Sequence, residues 1–259
     1  MSATPLGRPC WYELMTTDPD GAPSFYTSLA GWTTDTWEGG ENPYTMWLAG
    51  GSPIGGLMKL PEEVAQTGAP SHWLMYVSTP DVEATADKVK ELGGSILTKL
   101  DIPSVGQIVV VQDPQGAVFC AYQPADESPG HDDPPRVGEF SWLELATTDW
   151  QAAWSFYSKL FGWQQTDQMD MGDMGMYQMF GRGAHPLGGI YNRPPEMPVS
   201  AWLLYIRVPD VAAAVETVKT LGGQVLNGPM EVPGGDMVAQ CLDPAGAAFA
   251  VHSSAQGPS

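Results

Sequence analysis

The chain is short of basic residues and cysteine, and it has no long apolar run; each shortage removes a class of function. Eleven Lys and Arg stand against thirty Asp and Glu, a formal charge of -19 over 259 residues. Such a surface repels phosphate backbones and anionic lipid, so neither nucleic acid nor membrane is an expected partner. No apolar stretch reaches the roughly 20 residues that cross a bilayer as a helix. The opening Met1-Ser2-Ala3-Thr4-Pro5 also lacks the basic-then-apolar pattern of a secretion leader, so a cytoplasmic location is expected. The three cysteines, Cys10, Cys120 and Cys241, make neither an even disulfide framework nor a zinc-type pair and read as reduced thiols.

What is present is repetition. Trp11-Tyr12-Glu13-Leu14-Met15-Thr16-Thr17-Asp18 returns as Trp142-Leu143-Glu144-Leu145-Ala146-Thr147-Thr148-Asp149. Ser24-Phe25-Tyr26 and Gly31-Trp32 return as Ser155-Phe156-Tyr157 and Gly162-Trp163. Ile54-Gly55-Gly56-Leu57 returns as Leu187-Gly188-Gly189-Ile190, and Asp113-Pro114-Gln115-Gly116 as Asp243-Pro244-Ala245-Gly246. So many coincident marks identify an internal duplication. Between the copies, residues 125–136 are acidic, proline-rich and nearly free of bulky apolar groups, the composition of a semi-rigid exposed linker. The expected division is a domain at 8–124, the linker at 125–136 and a second domain at 137–254.

Within each half the punctuation predicts a strand, a helix and three strands, twice over. Residues 10–16 read as a strand and Asp18-Pro19 as a helix start. The helix runs to about Ala30 with Ala22, Phe25, Tyr26 and Leu29 on one face, and Gly31 closes it. Phe25, Tyr26, Phe156 and Tyr157 are expected to pack helix on sheet. Gly55-Gly56 and Gly188-Gly189 precede no helix, so they read as a bulge or close backbone approach rather than a phosphate loop. The methionines of residues 169–179, broken by Gly172 and Gly175, read either as an adaptable wall for a large planar ligand or as irregular core filling.

These motifs, above all Phe156-Tyr157-Ser158-Lys159-Leu160-Phe161-Gly162-Trp163, Val208-Pro209-Asp210-Val211 and Asp243-Pro244-Ala245-Gly246, resemble the vicinal oxygen chelate superfamily. That superfamily includes glyoxalase I, bleomycin-resistance proteins and extradiol dioxygenases. The subgroup that looks most similar is the two-domain actinobacterial one, with a mycobacterial antigen and proteins labelled hydroxylases beside polyketide pathways. The resemblance implies an α+β fold: a tandem glyoxalase-like duplication of four βαβββ modules forming two curved β-sheet cups, in a monomer or homodimer.

It also implies where a metal would be held, and this sequence departs there. The first ligand position falls on Glu13 and Glu144, the second on Leu74 and Leu203, the third on Cys120 and Ala250. One carboxylate cannot hold a divalent ion against water, so no metal and no cofactor are expected. His72, His185 and His252 are the residues that would have to restore a site. Alternation puts Tyr122 and His252 on the faces of Cys120 and Ala250, Tyr76 and Tyr205 on those of Leu74 and Leu203, and Trp11 and Trp142 on those of the glutamates.

The expected catalytic group is therefore Glu13, Glu144, Tyr205 and His252. Trp11, Leu74, Tyr76, Cys120 and Tyr122 would line one cup, and Trp142, Leu203 and Ala250 the other. The glutamates read either as acid/base groups toward a small carbonyl-bearing or polycyclic aromatic metabolite or as carboxylates tied into the core. The first reading makes the chain an isomerase, lyase or tailoring enzyme. Its rival is a protein that sequesters such a molecule without chemistry, as bleomycin-resistance proteins do.

Overall fold

The computed structural model describes residues 4–40, 43–126, 129–183 and 185–255; Glu127 and Ser128 of the expected linker lie outside them. The first half contains β1 (Pro9–Thr16), α1 (Ala22–Ala30), β2 (Thr33–Trp37), β3 (Tyr44–Ala49) and β4 (Ser52–Lys59). A short helix α2 (Glu62–Gln66) precedes β5 (His72–Ser78), α3 (Val82–Glu91), β6 (Ser95–Ile102), β7 (Gly106–Gln112) and β8 (Val118–Pro124). The second half repeats this with β9 (Phe140–Thr147), α4 (Trp150–Phe161), β10 (Gln164–Asp170), β11 (Met176–Arg182) and β12 (His185–Asn192). It closes with β13 (Ala201–Arg207), α5 (Val211–Thr220), β14 (Gln224–Glu231), β15 (Met237–Leu242) and β16 (Ala248–Ser253). The result is α+β: two curved, mixed eight-stranded sheets, ordered β2-β3-β4-β1-β5-β8-β7-β6 and β10-β11-β12-β9-β13-β16-β15-β14.

Two local features depart from the sequence reading. Helix α1 begins at Ala22 rather than at Pro19, with Gly21 as its N-cap, and Asp18 instead accepts the Gly21 N–H at 3.0 Å. The Ala22 N–H still reaches the Asp18 carbonyl at 3.2 Å, but Pro23 has no N–H to return to the Pro19 carbonyl, so the continuous helix starts only at Ala22. Its counterpart Asp149 caps α4 directly, accepting the Gln151 and Ala152 N–H groups at 3.0 Å each. Helix α2 was not legible because it buries no residue and so carries no apolar stripe.

The chain packs as two compact units, each drawing on both halves. One comprises Met1–Trp11, Leu74–Asp133 and Trp142–Trp202; the other comprises Tyr12–Trp73, Pro134–Ser141 and Leu203–Ser259. In the first, Phe119 of β8 meets the rings of Phe156, Tyr157 and Phe161 on α4 with centroids 5.4–6.4 Å apart. Tyr157 donates its hydroxyl to Asp113 at 2.9 Å and accepts the Trp202 indole N–H at 3.1 Å. In the second, Phe249 of β16 meets Phe25 and Tyr26 of α1, Tyr26 donates to Asp243 at 3.0 Å, and Trp73 donates to Tyr26 at 2.9 Å. The helix aromatics do pack on strands, as expected, and among those strands are ones from the opposite half of the chain.

Candidate functional site

Glu13 lies in the middle of β1 and Glu144 in the middle of β9, each beside a glycine of the neighbouring parallel strand. The pairs in register are Glu13 with Gly56 of β4 and Glu144 with Gly189 of β12. Both halves of the Gly-Gly dipeptide are used. A Cβ on Gly55 or Gly188 would come within 2.1 Å of the Tyr12 carbonyl oxygen or 1.8 Å of the Leu143 one, so these glycines let two backbones approach. A Cβ on Gly56 or Gly189 would instead strike a tyrosine, coming within 1.6 Å of the Tyr44 hydroxyl oxygen or 2.0 Å of the Tyr177 ring. The bulge reading holds too: the β3–β4 register slips between Trp47 and Leu48, and the β11–β12 register between Phe180 and Gly181.

The space left by those glycines brings a tyrosine hydroxyl onto each glutamate. Tyr44 donates to Glu13 Oε2 at 2.6 Å, and Tyr177 donates to Glu144 Oε2 at 2.9 Å. Trp142 donates its indole N–H to Tyr177 Oη at 2.7 Å, so Trp142 and Glu144 share a face as alternation predicts. The two copies differ in access: Glu13 is 3 % exposed, whereas Glu144 is half-buried. Tyr191 of β12 stacks on Tyr177 with centroids 5.9 Å apart, and burial, then the charge of Glu144, pushes its hydroxyl pKa up. Trp142, Tyr177 and Tyr191 thus gather around Glu144 within one unit.

Sequence reasoning did not single out Tyr44 and Tyr177. The signal was available in the short repeat Tyr44-Thr45-Met46-Trp47 and Tyr177-Gln178-Met179-Phe180, which precedes each Gly-Gly pair.

The remaining expected residues are distributed between the units. Trp11, Leu74, Tyr76, Cys120 and Tyr122 belong to one unit and Glu13 to the other. Tyr76 and Tyr122 meet edge to face at 6.2 Å, and Tyr122 donates to the Val105 carbonyl at 2.9 Å. Burial, then the neighbouring Cys10 thiol, raises the Tyr122 pKa to about 12. Leu74, Cys120 and Ala250 are buried and Leu203 is half-buried. In the second half, Glu144 and Trp142 lie in one unit and Leu203, Tyr205, Ala250 and His252 in the other.

Tyr205 accepts a long 3.4 Å bond from Gln240. His252 bonds Ser141 Oγ through Nδ1 at 2.8 Å and Asp236 Oδ2 through Nε2 at 2.9 Å. His72 pairs with the Pro70 carbonyl at 2.8 Å, and His185 is exposed at the start of β12. Of the methionines at residues 169–179, Met169, Met171, Met176 and Met179 are half-buried and Met174 is 56 % exposed.

The metal positions implied by the resemblance do not fit a divalent ion. Leu74, Leu203 and Ala250 offer no donor atom, and among the described residues no three His, Cys, Asp or Glu side chains converge on one point.

Residues 12–122 match the glyoxalase-like domain, and residues 139–251 match the Glyoxalase/Bleomycin resistance protein/Dioxygenase superfamily. CFP32 of Mycobacterium tuberculosis, a candidate glyoxylase, is 32 % identical over 248 residues, covering 95 % of this chain and 94 % of that protein. The anthracycline biosynthesis protein DauV of Streptomyces sp. strain C5 is 29 % identical over 261 residues, covering 95 % and 92 %. Among solved structures, the Mn(II)-bound glyoxalase of Novosphingobium aromaticivorans superposes with a TM-score of 0.64 at 17 % identity, covering 98 % of this chain and 83 % of that one, a likeness of fold. Two tandem matches on two similar sheets, with a relative alike over nearly its whole length, place the chain in the glyoxalase/bleomycin resistance/dioxygenase superfamily.

Proposed function

We propose that the protein is a metal-independent member of its superfamily that performs acid/base chemistry on a small carbonyl-bearing or polycyclic aromatic metabolite. The observation that carries this is the repeated Tyr–Glu hydrogen bond, seated in each half over a glycine that makes room for the ring. Glu144 is the better placed of the two carboxylates, because it is half-buried where Glu13 is sealed. In this reading Glu144 takes a proton from a carbon beside the substrate carbonyl and returns it to another atom, which is an isomerisation or tailoring step. Tyr177 fixes the carboxylate by donating to Oε2, and its oxygen is fixed in turn by the Trp142 N–H. Trp142, Tyr191 and the methionine wall supply flat and adaptable apolar surface. Similarity to DauV favours a polycyclic aromatic ligand, and similarity to CFP32 a small carbonyl compound.

Glu144→Gln separates chemistry from binding. With an anthracycline as probe, tryptophan fluorescence titration is expected to show retained binding. Solvent-deuterium exchange next to the ligand carbonyl is expected to fall by about 10²–10⁴-fold. Binding without exchange in the unaltered protein would instead make this a sequestering protein. Stoichiometric Zn, Mn, Ni or Fe surviving chelator dialysis would overturn metal independence.

A further inference from the structure

We propose that Ser141, Asp236 and His252 form a second reactive centre, a serine nucleophile for acyl transfer from simple esters, separate from the Glu–Tyr pairs. All three belong to one compact unit. Ser141 Oγ lies 2.8 Å from His252 Nδ1, and His252 Nε2 lies 2.9 Å from Asp236 Oδ2. A carboxylate on Nε2 requires a proton there, which leaves the Nδ1 lone pair facing the serine hydroxyl. The Ser141 hydroxyl has one other acceptor in reach, the Tyr205 carbonyl at 3.4 Å, which is too long to compete with the imidazole. Nucleophile, base and a third group orienting the base are the three parts of an activated serine, recognised by geometry rather than by order in the chain.

The carboxylate is itself held in place: Asp236 Oδ1 accepts the Ala255 N–H at 2.9 Å. Although burial opposes its ionisation, that bond, the His252 hydrogen bond and the charge of Arg207 keep its carboxyl below the usual range. The chain is reachable from solvent, with Ser141 half-buried and the His252 and Asp236 side chains 17 % and 38 % exposed.

The duplication supplies an internal control. The paired registers of β7 with β8 and of β15 with β16 put Tyr122 where His252 is and Gly106 where Asp236 is. The repeat of the Trp-x-Glu strand puts Cys10 where Ser141 is. Cys10 has its Sγ 3.5 Å from the Tyr76 carbonyl, the counterpart of the Ser141–Tyr205 contact, and Tyr122 donates to the Val105 carbonyl at 2.9 Å. The first half thus holds its strands together with a thiol, a phenol and a glycine at these places. All three differ in the second half, and together the three replacements build the Ser–His–Asp chain, which a merely structural contact does not require.

In the reaction, Ser141 Oγ forms a bond to the ester carbonyl carbon while its proton passes to His252 Nδ1. The imidazolium is steadied by Asp236. The alkoxide leaves with that proton as the C–O bond breaks, and water repeats the sequence to release the acid and free the serine. No oxidant, metal or cofactor enters.

Incubating the full chain with a fluorophosphonate and mapping the adduct by peptide mass spectrometry tests this directly. One adduct, on Ser141, is expected, together with hydrolysis of p-nitrophenyl butyrate. Ser141→Ala is expected to abolish the adduct, and His252→Gln to slow hydrolysis about 10²–10⁴-fold. An unaltered protein that is folded by circular dichroism yet acquires no adduct on Ser141 overturns the proposal, whatever the variants do. Labelling undiminished in His252→Gln would overturn the base assignment.

Discussion

At the residue scale, Tyr177 is held from both sides, donating to Glu144 and accepting from Trp142. Tyr177→Phe removes the hydroxyl that both of these bonds use, and a cost of about 1–3 kcal/mol is expected in urea unfolding. Gly189→Ala would put a Cβ 2.0 Å from that ring. Displacing the ring is expected to cost about 1–3 kcal/mol and to loosen Glu144, readable as an equal loss in midpoint and in ligand affinity.

Asp132 tests a different interaction. It is gripped by Arg8 at 2.5 Å and by Arg182, and the Arg8 bond above all lowers its pKa from 3.8 to about 2. A depressed acid stabilises the fold above its unfolded pKa and loses that contribution as pH falls through the folded value. Stability from this clasp is therefore expected to fade between about pH 4 and pH 2; Asp132→Asn should flatten the acid titration in that window. The glutamates were legible because they recur in an apolar strand. Their tyrosine partners lie 31 and 33 residues further on, across turns of unequal length, so only folding shows that they meet.

At the scale of elements, the decisive contacts are those of α1 and α4. Each sends a buried tyrosine to an Asp-Pro-x-Gly turn from the other half of the chain: Tyr26 to Asp243 and Tyr157 to Asp113. Burial raises the pKa of both aspartates, so their linkage runs opposite to that of Asp132: the contribution is full below the unfolded pKa and lost as pH rises through the folded one. Tyr26→Phe takes the hydroxyl from Asp243 Oδ2 and from the Trp73 N–H together, while Asp243 Oδ1 keeps the Ala245 and Ala247 N–H groups. A loss of about 1–3 kcal/mol for each unmet group is expected in thermal unfolding, and Tyr157→Phe should behave alike. A change under about 0.5 kcal/mol would show that water replaces the hydroxyl. The helices and most strands follow from spacing and caps, because those are local properties. The start of α1 does not, since Pro23 acts on a bond made four residues earlier.

At the scale of the molecule, each compact unit is assembled from both sides of the linker. A protease site inserted near residue 127 is therefore expected to give a nicked chain that still elutes as one species in native buffer and separates only in denaturant. Two species in native buffer would show that each half keeps its own core. The charge of -19 adds self-repulsion, and screening it with about 0.5 M salt should raise the melting midpoint modestly.

The duplication, the βαβββ order, the superfamily and the repeated carboxylate were all determined by the sequence, because repeats, caps and periodicity are written along the chain. The tertiary structure alone decided which tyrosine reaches which glutamate, which turn receives Tyr26 or Tyr157, and that Ser141, Asp236 and His252 form one chain of hydrogen bonds. Those partners are far apart in sequence and are selected by packing and by where a glycine leaves room, and neither has a local signature.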